Sequence, residues 1–169
     1  LTTSPHLHDK IEFDVVFSNE VFHWIKNHDL LIQNIYKVLK PQGILVYEFG
    51  ADGNIATIEN AFANACKETG YDYKSKFNFS TTENFSKLLE KNGFLIDMIY
   101  DYDRPTPLKE AKKGLANWMK QFFASELEAM PKNIQVIVIK QAEELTRKTF
   151  WNGNEWVADY RRIRVVAHI

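Results

Sequence analysis

The chain has one cysteine, Cys66, so no intrachain disulfide can form, and a reducing, cytoplasmic setting is expected. Cys66 falls in helical step with Ile58, Phe62 and Ala65, which predicts a buried thiol acting as a small hydrophobe. Long apolar runs are missing too. No stretch approaches the roughly 20 residues a membrane span needs, and the first residues lack the basic-then-apolar layout of a secretory signal. Neither sign of charge dominates: Lys+Arg 21 against Asp+Glu 22 gives a net charge of -1. That balance removes the electrostatic reason for a nucleic-acid or membrane partner and leaves a small molecule as the expected one. His6, His8 and Asp9 lack the helical spacing and third ligand of a metal centre, so no metal is expected. Repeats and low-complexity tracts are absent.

What is present is a core. With 45% hydrophobic and 14% aromatic residues in 169, the chain can bury one, and its length predicts one domain over residues 1–169. Phe13 to Ser18 reads as a buried parallel strand. Leu30, Leu31, Ile35, Val38 and Leu39 recur at helical spacing after Asp29, a predicted N-cap, and Lys40-Pro41-Gln42-Gly43 ends that helix. Ile44 to Phe49 is a second strand, and a helix carrying Ile55, Ile58, Phe62 and Ala65 follows to Gly70. Ser80-Thr81-Thr82-Glu83 has capping-box spacing before a helix closed by Asn92-Gly93, and Phe94 to Tyr100 forms a third strand.

Thr106 and Pro107 suit the N-cap and first turn of a long helix bearing Leu108, Ala111, Leu115, Trp118, Phe122 and Phe123. Pro131 opens another helix with Ile134, Ile137, Val138 and Leu145 inward. Trp156 to Ile169 is β-branched enough to read as one long final strand. Alternating strands and helices predict an α/β sheet, with residues 105–150 as a helical insertion between the last two strands.

Three stretches in order carry a resemblance. Phe13-Asp14-Val15-Val16-Phe17-Ser18-Asn19-Glu20-Val21-Phe22-His23-Trp24 resembles a fourth strand with an FSNxxxHW turn. Leu39-Lys40-Pro41-Gln42-Gly43 leading into Ile44 to Phe49 is similar to an LKPGG turn and fifth strand, with Gln42 where glycine is usual. Trp156 to Val166 resembles a last strand. Together these are similar to the class I S-adenosylmethionine-dependent methyltransferases related to trans-aconitate methyltransferase.

The resemblance implies a Rossmann-like methyltransferase fold. Strands four to seven would be present, the last antiparallel and lying between the fifth and sixth, with an inserted helical cap. It implies S-adenosyl-L-methionine as cofactor, direct methyl transfer to a small acceptor, and a carboxylate as one acceptor class. The family's glycine-rich GxGxG-type loop is missing from this sequence, as is the acidic end of its second strand, about 80–100 residues' worth of strand-helix units. Because the chain also opens on Leu1, a fragment of a longer enzyme is expected, inactive on its own.

The resemblance places Asn19, Glu20 and Trp24 at the cofactor edge and His23 beside the reacting groups. An imidazole of ordinary pKa near 6.5 could take a proton there. Gly50 and Asn54, in the loop after the second strand, could approach a substrate closely. Tyr160 and Arg162 share a strand face with Arg164, where an arginine beside a tyrosine hydroxyl suits a carboxylate. Trp118 could form an apolar substrate wall. The alternative is a non-catalytic half-domain whose first strand, left as a sheet edge, pairs with a partner or a second copy as a homodimer. A nicotinamide-dependent dehydrogenase half fits the alternation but not the Asn19 to Trp24 turn.

Overall fold

The computed structural model describes residues 12–169, so His6, His8 and Asp9 lie outside the described residues. In chain order the elements are β1 (Phe13–Asn19), a 3-10 turn at Phe22–Trp24, α1 (His28–Val38), β2 (Leu39–Gly50), α2 (Ala56–Glu68), α3 (Thr82–Lys91), β3 (Leu95–Asp103) and β4 (Thr106–Pro107). They continue with a 3-10 turn at Ala111–Lys113, α4 (Gly114–Phe122), α5 (Ala124–Glu128), α6 (Lys132–Phe150), β5 (Val157–Ala158) and β6 (Arg161–His168). The chain divides into two compact units, one of residues up to 52 with 76–102 and 161–169, the other of 53–75 with 103–160.

The first unit is built on a four-stranded sheet of order β1-β2-β6-β3. β1 runs parallel to β2, and β6 runs antiparallel to β2. The last strand is thus antiparallel and inserted between β2 and β3, as expected. Strand periodicity sends Leu45, Tyr47 and Phe49 of β2 and Ile163, Val165 and Ala167 of β6 to one face. There they bury against Leu31, Ile32 and Ile35 of α1 and Phe85 and Leu89 of α3. Each such Leu, Ile or Phe contributes about 1.5–3 kcal/mol, so this sheet-on-helix layer is the unit's main source of stability.

Three local expectations change here. β1 is parallel but not buried: it is an edge of the sheet, Val15 and Phe17 are 51% and 71% exposed, and Val16 is the β1 residue that packs on the core. Asn27, not Asp29, caps α1, its side chain accepting from Leu30 N at 3.0 Å. Asp29 instead receives Asn92 at 2.9 Å and Lys91 at 3.0 Å, tying α1 to the end of α3. Those contacts, led by the Asn92 hydrogen bond, lower its pKa. At α3 the cap is Thr81, which receives Asn84 N at 3.1 Å.

Gln42, at the position where the resembled turn has glycine, adopts φ +66. The turn is a register shift between β1 and β2, closed by Gln42 N donating to Ile169 O at 3.0 Å. At Gly43 an added Cβ would lie 2.7 Å from the Lys40 carbonyl oxygen, so glycine is required there by close backbone approach.

In the second unit α2 packs along α6. Ile58, Phe62, Ala65 and Cys66 of α2 are buried, and Phe62 stacks on Phe123 with centroids 4.2 Å apart. The buried side of α6 is Val138, Ile139, Ala142 and Thr146. The expected inward Ile137 and Leu145 are instead exposed, because the apolar run Ile137-Val138-Ile139 is compatible with several rotations and packing selects one.

Thr106 and Pro107 do not start a helix. Thr106 pairs with Ala158 and Pro107 with Val157, and Leu108 N donates to Trp156 O, so backbone pairing claims the segment and α4 begins at Gly114. The expected single final strand is likewise divided into β5 and β6. At the break, Asp159 turns to the start of α2: its carbonyl accepts Ile55 N at 3.0 Å and its carboxylate accepts Thr57 N at 2.8 Å. Asp159 therefore caps α2 across about a hundred residues of sequence.

Candidate functional site

The carboxyl ends of parallel strands, where ligands collect in open α/β sheets, bring most of the predicted residues of the first unit together. Asn19, at the end of β1, is in register with Glu48 of β2, and Gly50 is in register with Arg162 of β6. Glu20 follows with φ +59, a left-handed conformation uncommon for a residue with a Cβ. Its N–H donates to Glu48 O at 2.8 Å, extending the ladder by one bond. Its carboxylate meets Arg162 Nε at 2.5 Å; the Arg162 side chain is 6% exposed and that of Glu20 34%.

His23 sits in the 3-10 turn, buried, with Nδ1 accepting the Gly50 N–H at 3.2 Å. An accepting Nδ1 leaves the ring proton on Nε2. Burial, then the positive charge of Arg162, then His28 push its pKa down to about 4. The expectation of an ordinary imidazole near 6.5 is thus corrected: His23 is neutral at pH 7, and its basic nitrogen is engaged by backbone. His28 is buried beside it, with Nε2 2.8 Å from the Phe22 carbonyl oxygen, and desolvation lowers its pKa as well.

Around this turn lies an aromatic group. Trp24 is half exposed and its ring centroid is 4.9 Å from that of Phe77; Phe77 stacks on Phe79, and His23 lies 5.6 Å from Phe79. Asn78 fastens the group, its N–H donating to His23 O at 2.8 Å and its amide to the carbonyls of Ile25 and Lys26. These residues present aromatic faces of the kind that accept a planar ring. Phe77, Asn78 and Phe79 went unnoticed in the sequence, where their signal is the alternation Phe77-Asn78-Phe79 outside any strand.

Glu48 also went unnoticed, although a carboxylate inside the apolar run Ile44 to Phe49 is itself a signal. Its Oε2 accepts Arg164 Nε at 2.7 Å and the Tyr102 hydroxyl at 2.8 Å, and the Arg164 guanidinium lies 5.5 Å from the Tyr102 ring centre. Arg161 pairs with Asp101 at 2.6 Å. The three arginines of β6 therefore each hold a carboxylate, and the pairing of an arginine with tyrosine hydroxyls is made by Arg164 with Tyr100 and Tyr102.

Asn54, Trp118 and Tyr160 belong to the second unit. Asn54 is buried ahead of the left-handed Ile55 (φ +54) at the start of α2. Trp118 is buried, its indole N–H donating to the Tyr160 hydroxyl at 2.6 Å and its ring packed on Phe122 and Phe123. Among the described residues no group of three or more His, Cys, Asp or Glu side chains could hold a metal ion, and no helix is long and apolar enough to cross a membrane.

The sheet order and the antiparallel insertion of β6 next to the parallel pair β1–β2 define a Rossmann-like methyltransferase fold. Comparison with known proteins agrees. The family model described as "Methyltransferase domain" matches residues 2–47. C70.08c of Schizosaccharomyces pombe, an uncharacterised methyltransferase, is 28% identical over 174 residues, covering 92% of this chain and 62% of that protein. The malonyl-[acyl-carrier protein] O-methyltransferase of Calditerrivibrio nitroreducens is 41% identical over 54 residues, 32% of this chain and 21% of the relative. Among solved structures, the YcgJ protein of Bacillus subtilis superposes with a TM-score of 0.54 at 13% identity, and a candidate methyltransferase from Bacillus halodurans with 0.52 at 15%. Each alignment covers 93% of this chain and 64% of the other. The chain thus spans less than two thirds of the length of these proteins, and the solved structures share its fold.

Proposed function

We propose that this chain is part of an S-adenosylmethionine-dependent methyltransferase acting on a small-molecule acceptor, with carboxylates as the favoured class and a cytoplasmic setting. The observation that carries this reading is the inserted antiparallel β6, which brings Arg162 to the carboxyl ends of β1 and β2 beside the Asn19–Trp24 turn. The carboxylate preference draws support from the malonyl-[acyl-carrier protein] O-methyltransferase relatives, whose match covers only part of the chain. Kinship with trans-aconitate methyltransferase belongs to the same proposal and rests on the sequence motifs.

The cofactor, when bound, supplies an electrophilic methyl group on a sulfonium. The residues here fit one edge of such a ligand. Trp24 and Phe77 offer aromatic faces to a planar ring, Asn19 offers amide hydrogen bonds at a strand end, and the neutral His23 adds no positive charge next to a cationic sulfonium. Methyl transfer to a carboxylate needs no strong base, only in-line placement and exclusion of water. Accordingly His23, sited among the reacting groups by resemblance, works by holding Gly50 rather than by taking a proton. Gly50 and Arg162 of the first unit and Asn54, Trp118 and Tyr160 of the second are the proposed substrate-side residues, each considered within its own unit.

Calorimetric titration with S-adenosylhomocysteine tests the reading. The protein as its source expresses it should bind; the 169-residue chain alone should bind weakly or not at all, for want of a glycine-rich loop. Absence of heat with the source protein would end the proposal. A second reading, a non-catalytic half-domain that dimerises or docks through a sheet edge, is favoured by one observation: β1 is an edge carrying exposed Phe13, Val15 and Phe17. Light scattering across a concentration series separates the two, since a strict monomer counts against the second.

A further inference from the structure

The Glu20–Arg162 pair has three properties that do not belong together in an ordinary surface ion pair. The guanidinium is almost wholly buried, its partner sits on a backbone in the left-handed region, and the two come from opposite ends of the sequence. Left-handed backbone costs an L-residue about 1–2 kcal/mol, and such conformations persist only where surrounding contacts over-determine them. A buried ion pair is in turn weak evidence of stabilisation, because desolvation offsets the attraction, whereas removing one partner leaves a charge uncompensated. Neither cost is explained by stability. Both are explained if the pair fixes a geometry.

We propose that Arg162 is a positioning residue: from β6 it clamps Glu20 in its left-handed conformation and thereby sets the shape of the Asn19–Trp24 turn that edges the ligand site. The turn is also held by ring packing of Phe22 on Tyr47 and of Trp24 on Phe77, by His28 at the Phe22 carbonyl, and by further hydrogen bonds. The Glu20 N–H donates to Glu48 O, His23 Nδ1 accepts the Gly50 N–H, and the His23 carbonyl accepts the Asn78 N–H. Arg162 is the cationic tie among these, and it stands in register with Gly50, the residue His23 grips. Two of the turn's anchors therefore converge on one rung of the β2–β6 ladder. A direct grip of Arg162 on an acceptor carboxylate is disfavoured by the same geometry, since Glu20 already places one carboxylate on that cation.

The inference rests on the methyltransferase reading only for what the turn edges; the clamp itself can be tested without a ligand. In the 169-residue chain, E20N/R162M removes both charges together, keeps a residue tolerant of left-handed backbone at position 20, and leaves no orphaned ion, so folding is retained. Amide hydrogen exchange by NMR should then be about 10-fold or more faster at residues 20, 24, 25 and 50. Helix amides at Ile32 and Ile35 should be unchanged and the melting temperature should stay within about 4 °C. R162K, which keeps charge but loses the planar fork, should fall between. Unchanged exchange at residues 20 to 25 in the double variant would overturn the clamp. In the protein as its source expresses it, the same double variant should weaken S-adenosylhomocysteine binding about 10-fold at unchanged melting temperature. Unchanged affinity would overturn the positioning role, while failure of the parent protein to bind at all would fell the methyltransferase reading and leave the exchange result to judge the clamp.

Discussion

The imidazole of His23 and the backbone of Gly50 are joined by a single hydrogen bond, Gly50 N–H to Nδ1, that exists only while the ring is neutral. The first prediction follows from the sign of its pKa. An unfolded histidine titrates near 6.5, whereas burial beside Arg162 lowers the folded value to about 4. Protons therefore bind preferentially to the unfolded chain. The contribution is fully present above pH 6.5 and is lost as pH falls through 4, and it is worth roughly 2 kcal/mol once solvent screening is allowed for. The Cε1 proton of His23 should titrate near 4 by NMR. H23N, whose side-chain oxygen can replace Nδ1 as acceptor, should keep most of the pH 7 stability and flatten the dependence between pH 6.5 and 4; H23L should lose stability at every pH. A midpoint near 6.5 would contradict the assignment.

A second prediction concerns Tyr47. Its ring stacks on Phe22 at 4.7 Å and is buried against Phe49 and Phe85, yet its hydroxyl has no hydrogen-bond partner among the described residues, and burial raises its pKa well above 10. A desolvated, unpaired hydroxyl is destabilising, and the ring alone supplies the packing. Tyr47→Phe should therefore raise the unfolding free energy by about 1 kcal/mol, read as a higher urea midpoint at unchanged slope. A lower midpoint would show that the hydroxyl is satisfied.

The sheet was legible because its signals are local. Ile44 to Phe49 alternates between core and opposite face, Asn92-Gly93 stops α3, and the motif order carried the antiparallel insertion of β6. What was not legible depends on contacts between distant residues. Asp159 caps α2 from across the chain, Thr106 is drawn from a helix start into a strand by Ala158, and Arg162 is claimed by Glu20. The same limit applied at the site. Asn19, Glu20, His23 and Trp24 could be picked out as a cluster because they are neighbours in sequence, but His23 was read with an ordinary pKa because nothing in the sequence places it in the core beside a guanidinium.

A third prediction uses two adjacent residues whose substitutions should have opposite signs. Gln42 holds φ +66, so Gln42→Gly removes backbone strain and should stabilise by up to about 1 kcal/mol, the strain relieved being partly offset by glycine's entropy. Gly43→Ala would place a methyl 2.7 Å from the Lys40 carbonyl, a clash that only backbone movement can relieve, and should destabilise by about 2 kcal/mol. Melting temperatures for a chain of this size should rise by about 2–4 °C in the first case and fall by roughly twice that in the second. Two changes of the same sign would refute the account of this turn.

The last prediction tests the long-range cap. α2 begins after Ile55, whose left-handed backbone has no side-chain cap of its own, and the first free N–H groups of the helix are taken by Asp159, through its carbonyl to Ile55 and its carboxylate to Thr57. The carboxylate at a helix amino end also meets the positive pole of the helix dipole, so charge and hydrogen bonding act together. Asp159→Asn keeps an acceptor without the charge and should cost a few tenths of a kcal/mol; Asp159→Ala removes both and should cost about 1 kcal/mol. The loss should appear as faster amide exchange at Thr57 and at the following turn of α2, with the sheet amides of β2 and β6 unaffected. A uniform change across both units would instead mean that Asp159 acts on the fold as a whole and not as the cap of one helix.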